Sequence, residues 1–192
     1  MEAATVLSSG RWGSPFVSGS PATLTKNGIP CLELNADNKY FEWNVDVGPD
    51  SMPIMTLAAT FYVNSIPNGR GWLFGDEDGG CDRYMLIHDN RVGNEGVSAS
   101  CMARSNWHTD GAKVGQWNHM LAHYNQNTRE SYVVLNGVKG KVLTGISHGN
   151  GRKKLRLGSP WGGHTTDTCV SNVKVFDREP TALEISARAP TF

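Results

Sequence analysis

Two short loops in this 192-residue chain combine side-chain types that bind polar ligands. The loops at 107–110 and 161–167 each place a tryptophan, a histidine and an aspartate close together, beside glycine. An indole face can stack on the C–H surface of a sugar, and a carboxylate accepts hydrogen bonds from hydroxyl groups. The alternative is that each tryptophan only packs over the edge of a sheet. The loops predict a carbohydrate or peptide site made of Trp107, His108, Asp110, Trp161, His164 and Asp167.

A third loop, residues 76–82, is acidic and reads Asp-Glu-Asp-Gly-Gly-Cys-Asp. Calcium prefers several carboxylate and carbonyl oxygens, and glycines let a loop wrap around an ion. Asp76, Asp78 and Asp82 are therefore candidate calcium ligands. The spacing is not that of an EF-hand, and the sequence identifies no second loop that would complete the site. A solvated acidic turn is the alternative interpretation.

Three histidines, His88, His119 and His123, fall in or beside predicted strands. Residues four apart in a strand lie roughly 13 Å apart, which is too far for His119 and His123 to share one zinc ion. We therefore expect structural roles for these histidines. The sequence also contains no phosphate-binding loop.

Composition excludes several partners. The formal net charge is zero, so there is no basic surface of the kind that binds nucleic acid. The short basic run at 152–156 is typical of a solvated turn. No stretch reaches the roughly 20 apolar residues of a membrane-spanning helix. The N-terminus lacks the features of a signal peptide, which predicts a cytoplasmic protein, or an extracellular one if the chain is a fragment of a longer secreted protein.

The four cysteines, Cys31, Cys81, Cys101 and Cys169, contain no C-x-x-C pair, which argues against a zinc site. An even number would permit two disulfides in a secreted protein. Because no signal peptide is visible, we expect reduced thiols.

Short apolar runs that alternate with turn signals dominate the rest of the chain. Residues 55–63 are the clearest strand, because Leu57, Ala59, Phe61 and Val63 repeat every second residue. Residues 84–87 and 117–124 are further strands, and 97–102 is the predicted hairpin partner of 84–87. Asn136-Gly137 is the strongest hairpin signal, and one short helix begins with a capping box at Thr181. Many strands without crossover helices predict an all-β antiparallel sandwich.

Residues 1–30 are rich in serine, glycine, proline and threonine, interrupted by Trp12 and Phe16. This composition predicts an extended arm that packs two aromatic side chains onto the domain. The domain itself is predicted to span residues 31–192.

The order of these elements resembles the laminin G-like domains of the concanavalin A-like lectin/glucanase superfamily. Residues 115–124, Gly-Gln-Trp-Asn-His-Met-Leu-Ala-His-Tyr, are similar to the family strand G-x-W-H-H-V-A-V-T-Y, with Asn118 in place of the first histidine. The strand ending in Asn136-Gly137, the segments 155–158 and 170–178, and the helix at 181–185 follow in the family order. The resemblance covers about residues 31–187, and residues 1–30 have no counterpart in it.

This resemblance implies a two-sheet jelly roll. In the family, an aspartate shortly before the Y-x-L strand often binds calcium at the rim of the sandwich, and Asp82 occupies that position. Several glycosidases share the fold, but their motif Glu-x-Asp-x-x-Glu is absent here. Glu33 and Glu42, in separate strands, are the remaining carboxylates that could form a catalytic pair.

The sequence therefore favours a non-catalytic module that binds carbohydrate or protein through rim loops, with no cofactor other than the candidate calcium ion of the acidic loop. One alternative is a structural subunit of a larger intracellular assembly, which the aromatic arm and the zero charge favour. The other is a glycoside hydrolase of the same fold. Fold alone does not decide among them, and the sequence does not indicate an oligomeric state.

Overall fold

The computed structural model describes residues 15–36, 38–66, 69–76, 83–89, 91–94, 105–147, 154–159 and 166–188. Within these residues the strands form two antiparallel sheets, and strands are numbered along the chain. The seven-stranded sheet has the spatial order β1 (Phe16–Ser18), β4 (Tyr40–Trp43), β14 (Leu155–Leu157), β6 (Arg70–Asp76), β7 (Tyr84–His88), β8 (Arg91–Asn94) and β9 (Asn106–Trp107). The eight-stranded sheet has the order β12 (Val138–Lys139), β11 (Glu130–Leu135), β10 (Trp117–Asn125), β5 (Ile54–Ser65), β15 (Asp167–Phe176), β3 (Ile29–Leu34) and β2 (Thr23–Lys26), and β13 (Leu143–Thr144) also pairs with β11.

The core fills the space between the two sheets, as the alternating pattern predicted. One face of β5 and one face of β10 supply apolar side chains from the eight-stranded sheet, and β6 and β7 supply them from the other. Burial of each large apolar side chain contributes about 1.5–3 kcal/mol, so this double layer is the main source of stability. The core includes Leu57, Ala59, Phe61, Val63, Met120, Ala122, Tyr124, Phe74, Met85 and Ile87. The all-β sandwich is confirmed.

Local signals at two turns are also confirmed. Asn136 and Gly137 connect β11 to β12 with φ angles of 49° and 83°, the left-handed values that a two-residue hairpin turn requires. Thr181 caps helix α1 (Ala182–Ser186), and its hydroxyl accepts the backbone N–H of Glu184 while the Glu184 carboxylate accepts the backbone N–H of Thr181. The helix lies on the outer face of the eight-stranded sheet, where Ile185 packs on an apolar patch of that face. None of the helices in the described residues is long and apolar enough to cross a membrane.

Residues 16–30 differ from the predicted arm. β1 pairs with β4 at one edge of the seven-stranded sheet, and β2 pairs with β3 at one edge of the other. The predicted boundary at residue 30 falls inside β3, so this segment is part of the sandwich. Phe16 is 62% exposed, and its ring lies beside that of Tyr40, with centroids 6.3 Å apart. Residues 1–14, with Trp12, lie outside the described residues.

The hairpin partner of β7 is also different from the prediction. The strand that pairs with β7 is β8, with His88 opposite Arg91 across a tight turn. The segment 97–102 lies outside the described residues. A short turn at Asp89 closes the hairpin sooner than the sequence pattern indicated, because Asp89 adopts a left-handed φ of 47°.

The prediction of reduced thiols is wrong for two of the four cysteines. Cys31 on β3 and Cys169 on β15 form a disulfide between neighbouring strands of the eight-stranded sheet, and both are fully buried. Their Cα atoms lie 5.5 Å apart, within the range that a disulfide needs. Cys81 and Cys101 lie outside the described residues.

Candidate binding surface

Strand register defines which side chains leave the seven-stranded sheet on its outer face. Met85 and Ile87 point into the core, so their neighbours on β7 point outward. Cross-strand pairing extends the same face to the other strands. The outward positions include Tyr40, Glu42, Arg70, Trp72, Tyr84, Leu86, His88, Arg91, Gly93, Trp107 and Arg156.

The middle of this face is closed. Tyr84 and Leu86 point outward but have almost no exposed surface. The Tyr84 hydroxyl donates a hydrogen bond to the carbonyl of Gly158, at 2.8 Å. Ligand-accessible chemistry is therefore concentrated at the two ends of the sheet.

At one end, four outward side chains form what we call the Trp107 cluster: Arg70, His88, Arg91 and Trp107. Arg70 pairs with His88, and His88 pairs with Arg91, so three basic residues form one row across β6, β7 and β8. Trp107 on the edge strand β9 stands beside this row. The cluster places a flat aromatic side chain next to nitrogen donors on a partly exposed surface.

A glycine positions the indole of this cluster. Gly93 on β8 is directly opposite Trp107, and a Cβ at Gly93 would lie only 2.5 Å from Cε3 of the indole. Glycine therefore lets the Trp107 ring lie across β8. The ring centroid is 4.7 Å from the Arg91 guanidinium carbon and 5.8 Å from the His88 ring. Cation–π attraction holds the guanidinium over the indole.

Hydrogen-bonding groups in the cluster remain accessible. His88 Nδ1 lies 3.4 Å from an Arg91 guanidinium nitrogen and 3.1 Å from Asp89 Oδ2. Arg91 is exposed, and the Asp89 side chain is 58% exposed. Exposed pairs of this kind contribute little to stability, about 0–1 kcal/mol. The polar groups of Arg91 and Asp89 are thus accessible to a ligand.

At the opposite end of the face, the charged side chains pair with one another. Glu42 accepts hydrogen bonds from Lys154 at 2.7 Å and from Arg156 at 2.6 Å. Burial opposes ionisation of Glu42, but the bonds and charges of these two cations outweigh it and hold its pKa below the usual range. The Arg156 guanidinium also lies over the Tyr40 ring, 5.5 Å from its centroid. This end is a closed ion-pair network.

The loop residues predicted from sequence separate into different places. Trp107 joins the cluster above. His108 is buried, and the backbone N–H of Asp110 donates a hydrogen bond to its Nδ1 at 3.0 Å. Because Nδ1 accepts, the ring proton is on Nε2, which donates to the carbonyl of Val138 at 2.9 Å. His108 thus ties its loop to β12 instead of facing a ligand, and Asp110 is exposed beyond it.

Asp167 lies on the other sheet from Trp107. At the start of β15 its carboxylate accepts hydrogen bonds from Asn64 at 3.0 Å and from Ser65 at 2.6 Å. The structure therefore does not join Trp107 and Asp167 in one site. Trp161 and His164 lie outside the described residues, and their roles stay predictions.

Asp76 does not sit on the rim as a free carboxylate. It is fully buried at the end of β6 beside Arg83, whose guanidinium donates to the carbonyls of Met52, at 2.7 Å, and Val47. Burial lowers the pKa of Arg83 to about 10, and the Asp76 charge opposes that shift. The structure gives Asp76 an interior electrostatic partner.

Calcium binding at this loop remains a prediction, because Asp78 and Asp82 lie outside the described residues. Within the part of the chain that the structure describes, no group of three or more histidine, cysteine or acidic side chains is placed to hold a metal ion.

The two strand histidines of β10 have structural roles, as expected. The Thr56 hydroxyl donates to the carbonyl of Arg178 at 2.8 Å, so it accepts the Nδ1 proton of His123 at 2.9 Å. Burial lowers the pKa of His123 to about 4, which keeps the ring neutral at pH 7. His119 makes a similar contact, 2.9 Å from its Nδ1 to the Thr60 hydroxyl.

Sequence reasoning missed most of the cluster. Arg70 and Arg91 carry no motif, and His88 was placed only in a strand. Their juxtaposition depends on the register of β6, β7 and β8, which the turn at Asp89 sets. That turn, read as a tight hairpin, is the signal that could have placed Arg91 beside His88.

Comparison with known proteins identifies relatives of the fold. A family model described as the concanavalin A-like lectin/glucanases superfamily matches residues 34–186. No curated protein sequence matches the chain.

Among solved structures, the botulinum neurotoxin serotype D ligand-binding domain in complex with N-acetylneuraminic acid superposes with a TM-score of 0.70 at 9% identity, covering 92% of this chain and 45% of that one. The serotype G binding domain gives 0.70 at 10%, covering 93% and 46%. The Trypanosoma rangeli sialidase in complex with the inhibitor DANA gives 0.61 at 15%, covering 90% and 32%. The chain therefore spans less than half the length of each of these structures, and the likeness shows the jelly-roll fold alone.

Proposed function

The chain belongs to the concanavalin A-like lectin/glucanase superfamily, and from that premise we propose that it is a non-catalytic module that binds carbohydrate at the Trp107 cluster. The observation that carries the proposal is the indole of Trp107, laid across Gly93 beside accessible nitrogen donors. Sugar sites commonly combine an aromatic side chain with a few fixed polar groups.

The packing of the domain does not need this arrangement. Trp107 lies on the outer face of an edge strand, away from the core between the sheets. Arg91 is exposed and contributes little apolar burial. Polar and aromatic groups gathered on a partly exposed surface fit recognition better than stabilisation. The serotype D neurotoxin domain, which shares the fold, is known in complex with N-acetylneuraminic acid, and this supports a carbohydrate ligand.

The catalytic alternative has weaker support, although one sialidase shares the fold. Glu33 is next to inward-facing Leu32 and Leu34 on the eight-stranded sheet, and Glu42 is on the outer face of the other. The two carboxylates leave the sandwich on opposite sides, so they cannot flank one glycosidic bond. Glu42 also has a lowered pKa, whereas a general acid needs a raised one.

The disulfide bears on the compartment. Disulfides persist mainly in oxidising compartments, so the Cys31–Cys169 bond favours the extracellular of the two locations that the sequence left open. We propose that the module acts outside the cytoplasm, where glycans are displayed. Thiol titration of protein from its native source tests this: two reduced thiols at Cys31 and Cys169 would contradict it.

A glycan array followed by calorimetry on the glycans that bind tests the function. Trp107→Ala should weaken binding at least about tenfold, a loss of about 1.4 kcal/mol. Phe16→Ala is the matched control, because it removes an aromatic ring that is 62% exposed at the closed end of the same sheet. Absence of any glycan ligand, or equal affinity of wild type and Trp107→Ala, would contradict the proposal.

A further inference from the structure

We infer that Asn27 is a site of spontaneous deamidation, at which the side-chain amide is lost and aspartate or isoaspartate takes its place. The inference is independent of the proposed function, because Asn27 belongs to the eight-stranded sheet and the Trp107 cluster belongs to the other. It is carried by two asparagine–glycine turns that share one backbone conformation and differ in what holds the asparagine side chain.

The two turns have the same backbone geometry. Asn27-Gly28 connects β2 to β3 with φ angles of 49° and 76°, and Asn136-Gly137 connects β11 to β12 with 49° and 83°. Both are two-residue hairpin turns with left-handed φ at each position. The pairs at 68–69 and 150–151 include residues outside the described ones and do not enter the comparison. Backbone conformation therefore does not separate Asn27 from Asn136.

The reaction needs only the chain itself and water. The backbone nitrogen of Gly28 loses its proton and attacks Cγ of Asn27, and glycine offers no Cβ to hinder that approach. An N–Cγ bond forms, the Cγ–Nδ2 bond breaks, and the nitrogen leaves as ammonia with the proton. Water then opens the cyclic imide at either of its carbonyl carbons, which gives aspartate or isoaspartate.

The Asn136 side chain is held away from this reaction. Its Oδ1 accepts the backbone N–H of His119 at 2.8 Å, and its Nδ2 donates to Oδ1 of Asn118 at 3.3 Å. Asn136 is half-buried, and a Cβ on Gly137 would lie 3.1 Å from the carbonyl oxygen of Ser186. Because Cγ can turn toward the next backbone nitrogen only after both hydrogen bonds break, this turn is protected.

The Asn27 side chain has no such restraint. Asn27 and Gly28 are both exposed, and a Cβ on Gly28 would meet no atom within 4 Å. In the part of the chain that the structure describes, no residue forms a hydrogen bond with the Asn27 side chain. The amide can therefore reach the geometry in which Cγ and the attacking nitrogen are close together, without the loss of a native contact.

The products change both the charge and the length of this turn. Either product adds a negative charge next to Lys26, whose ammonium group lies over the Tyr62 ring, 5.5 Å from the centroid. Isoaspartate also routes the chain through the side-chain carbon, so the turn gains a backbone atom. β2 lies at the edge of its sheet and pairs only with β3. We therefore expect isoaspartate at position 27 to loosen the pairing of β2.

Peptide mapping by mass spectrometry tests the inference on folded protein kept at mildly alkaline pH. Both asparagines are followed in the same sample, so each serves as the reference for the other. We expect Asn27 to be modified at least about tenfold faster than Asn136, which corresponds to about 1.4 kcal/mol in activation free energy. Two hydrogen bonds of ordinary strength are sufficient for that difference.

The same incubation in guanidinium chloride is the matched control. Unfolding breaks the hydrogen bonds of Asn136, and each asparagine is still followed by glycine, so the two rates should become similar. Asn27→Asp supplies the charge of the product without the longer turn. Amide exchange in β2 should therefore be faster in the isoaspartate form than in this variant, and equal exchange would contradict the effect assigned to the longer turn.

Three results would overturn the inference. One is equal modification of the two asparagines in the folded protein, or faster modification of Asn136. Another is a difference that persists unchanged in guanidinium chloride, because neighbours in sequence would then be its cause. The last is an intact Asn27 in folded protein after a time in which the unfolded chain is modified at both positions.

Discussion

Acid should destabilise this domain through one buried histidine. His123 is 1% exposed on β10, donates its Nδ1 proton to Thr56, and leaves Nε2 without a hydrogen-bond partner, 3.8 Å from Glu179. Burial is the main cause that lowers its pKa from 6.5 to about 4, and the nearby Glu179 charge only partly opposes the shift. Protonation would therefore place a poorly solvated charge under the helix-covered face of the sheet.

The sign and size follow from linkage between proton binding and folding. In the unfolded chain His123 takes up a proton near pH 6.5, whereas in the folded chain it does so only near pH 4. The stabilisation that comes from neutral His123 is therefore fully present above pH 6.5. It is lost as the pH falls from 6.5 to about 4. At pH 4.5 most of this stabilisation, about 3 kcal/mol, has been lost.

Urea unfolding of wild type and His123→Asn at pH 7 and pH 4.5 measures this effect. The asparagine keeps a side-chain N–H for Thr56 but does not titrate in this range. Other titrating groups contribute alike to both proteins, so the difference between their pH responses isolates His123. Wild type should lose about 3 kcal/mol more than the variant on acidification. Equal losses in the two proteins would refute the reasoning.

Three further changes have defined outcomes. Gly93→Ala should displace the Trp107 indole, which should lower the unfolding free energy by about 1–3 kcal/mol in urea and weaken glycan binding measured by calorimetry. Unchanged affinity would contradict the role given to the glycine. Replacing Cys31 and Cys169 together by alanine should cost about 2–5 kcal/mol in unfolding free energy, whereas an unchanged midpoint under oxidising conditions would argue against the disulfide. Thr181→Ala removes the helix cap and should cost about 0.5–2 kcal/mol in urea unfolding, and a urea midpoint equal to wild type would show that the cap does not matter.

The sequence predicted those features that depend on local physics. The apolar alternation of residues 55–63 and 117–124 survives in the structure because a buried sheet face imposes a period of two. The Asn136-Gly137 turn and the Thr181 capping box were equally predictable, because each is complete within four residues.

Features that depend on contacts distant in sequence were not predictable. Cys31 and Cys169 meet only because β3 and β15 become neighbours, and no spacing rule reports that. His108 and Asp167 have side-chain types that suit a ligand site, yet each is hydrogen-bonded to the surrounding protein. Trp107 lies on the outer face of its sheet, its role in ligand binding stays a prediction, and its basic neighbours emerge only from strand register.

The bond between Cys31 and Cys169 spans 138 positions of the chain. Every connection between β3 and β15 therefore lies inside one covalent ring. A protease that cuts any single loop within that ring opens it without releasing a fragment, and the two pieces separate only after reduction. For a module that acts outside the cell, as we propose, this ring would let a nicked molecule retain both of its sheets, and with them the proposed binding surface.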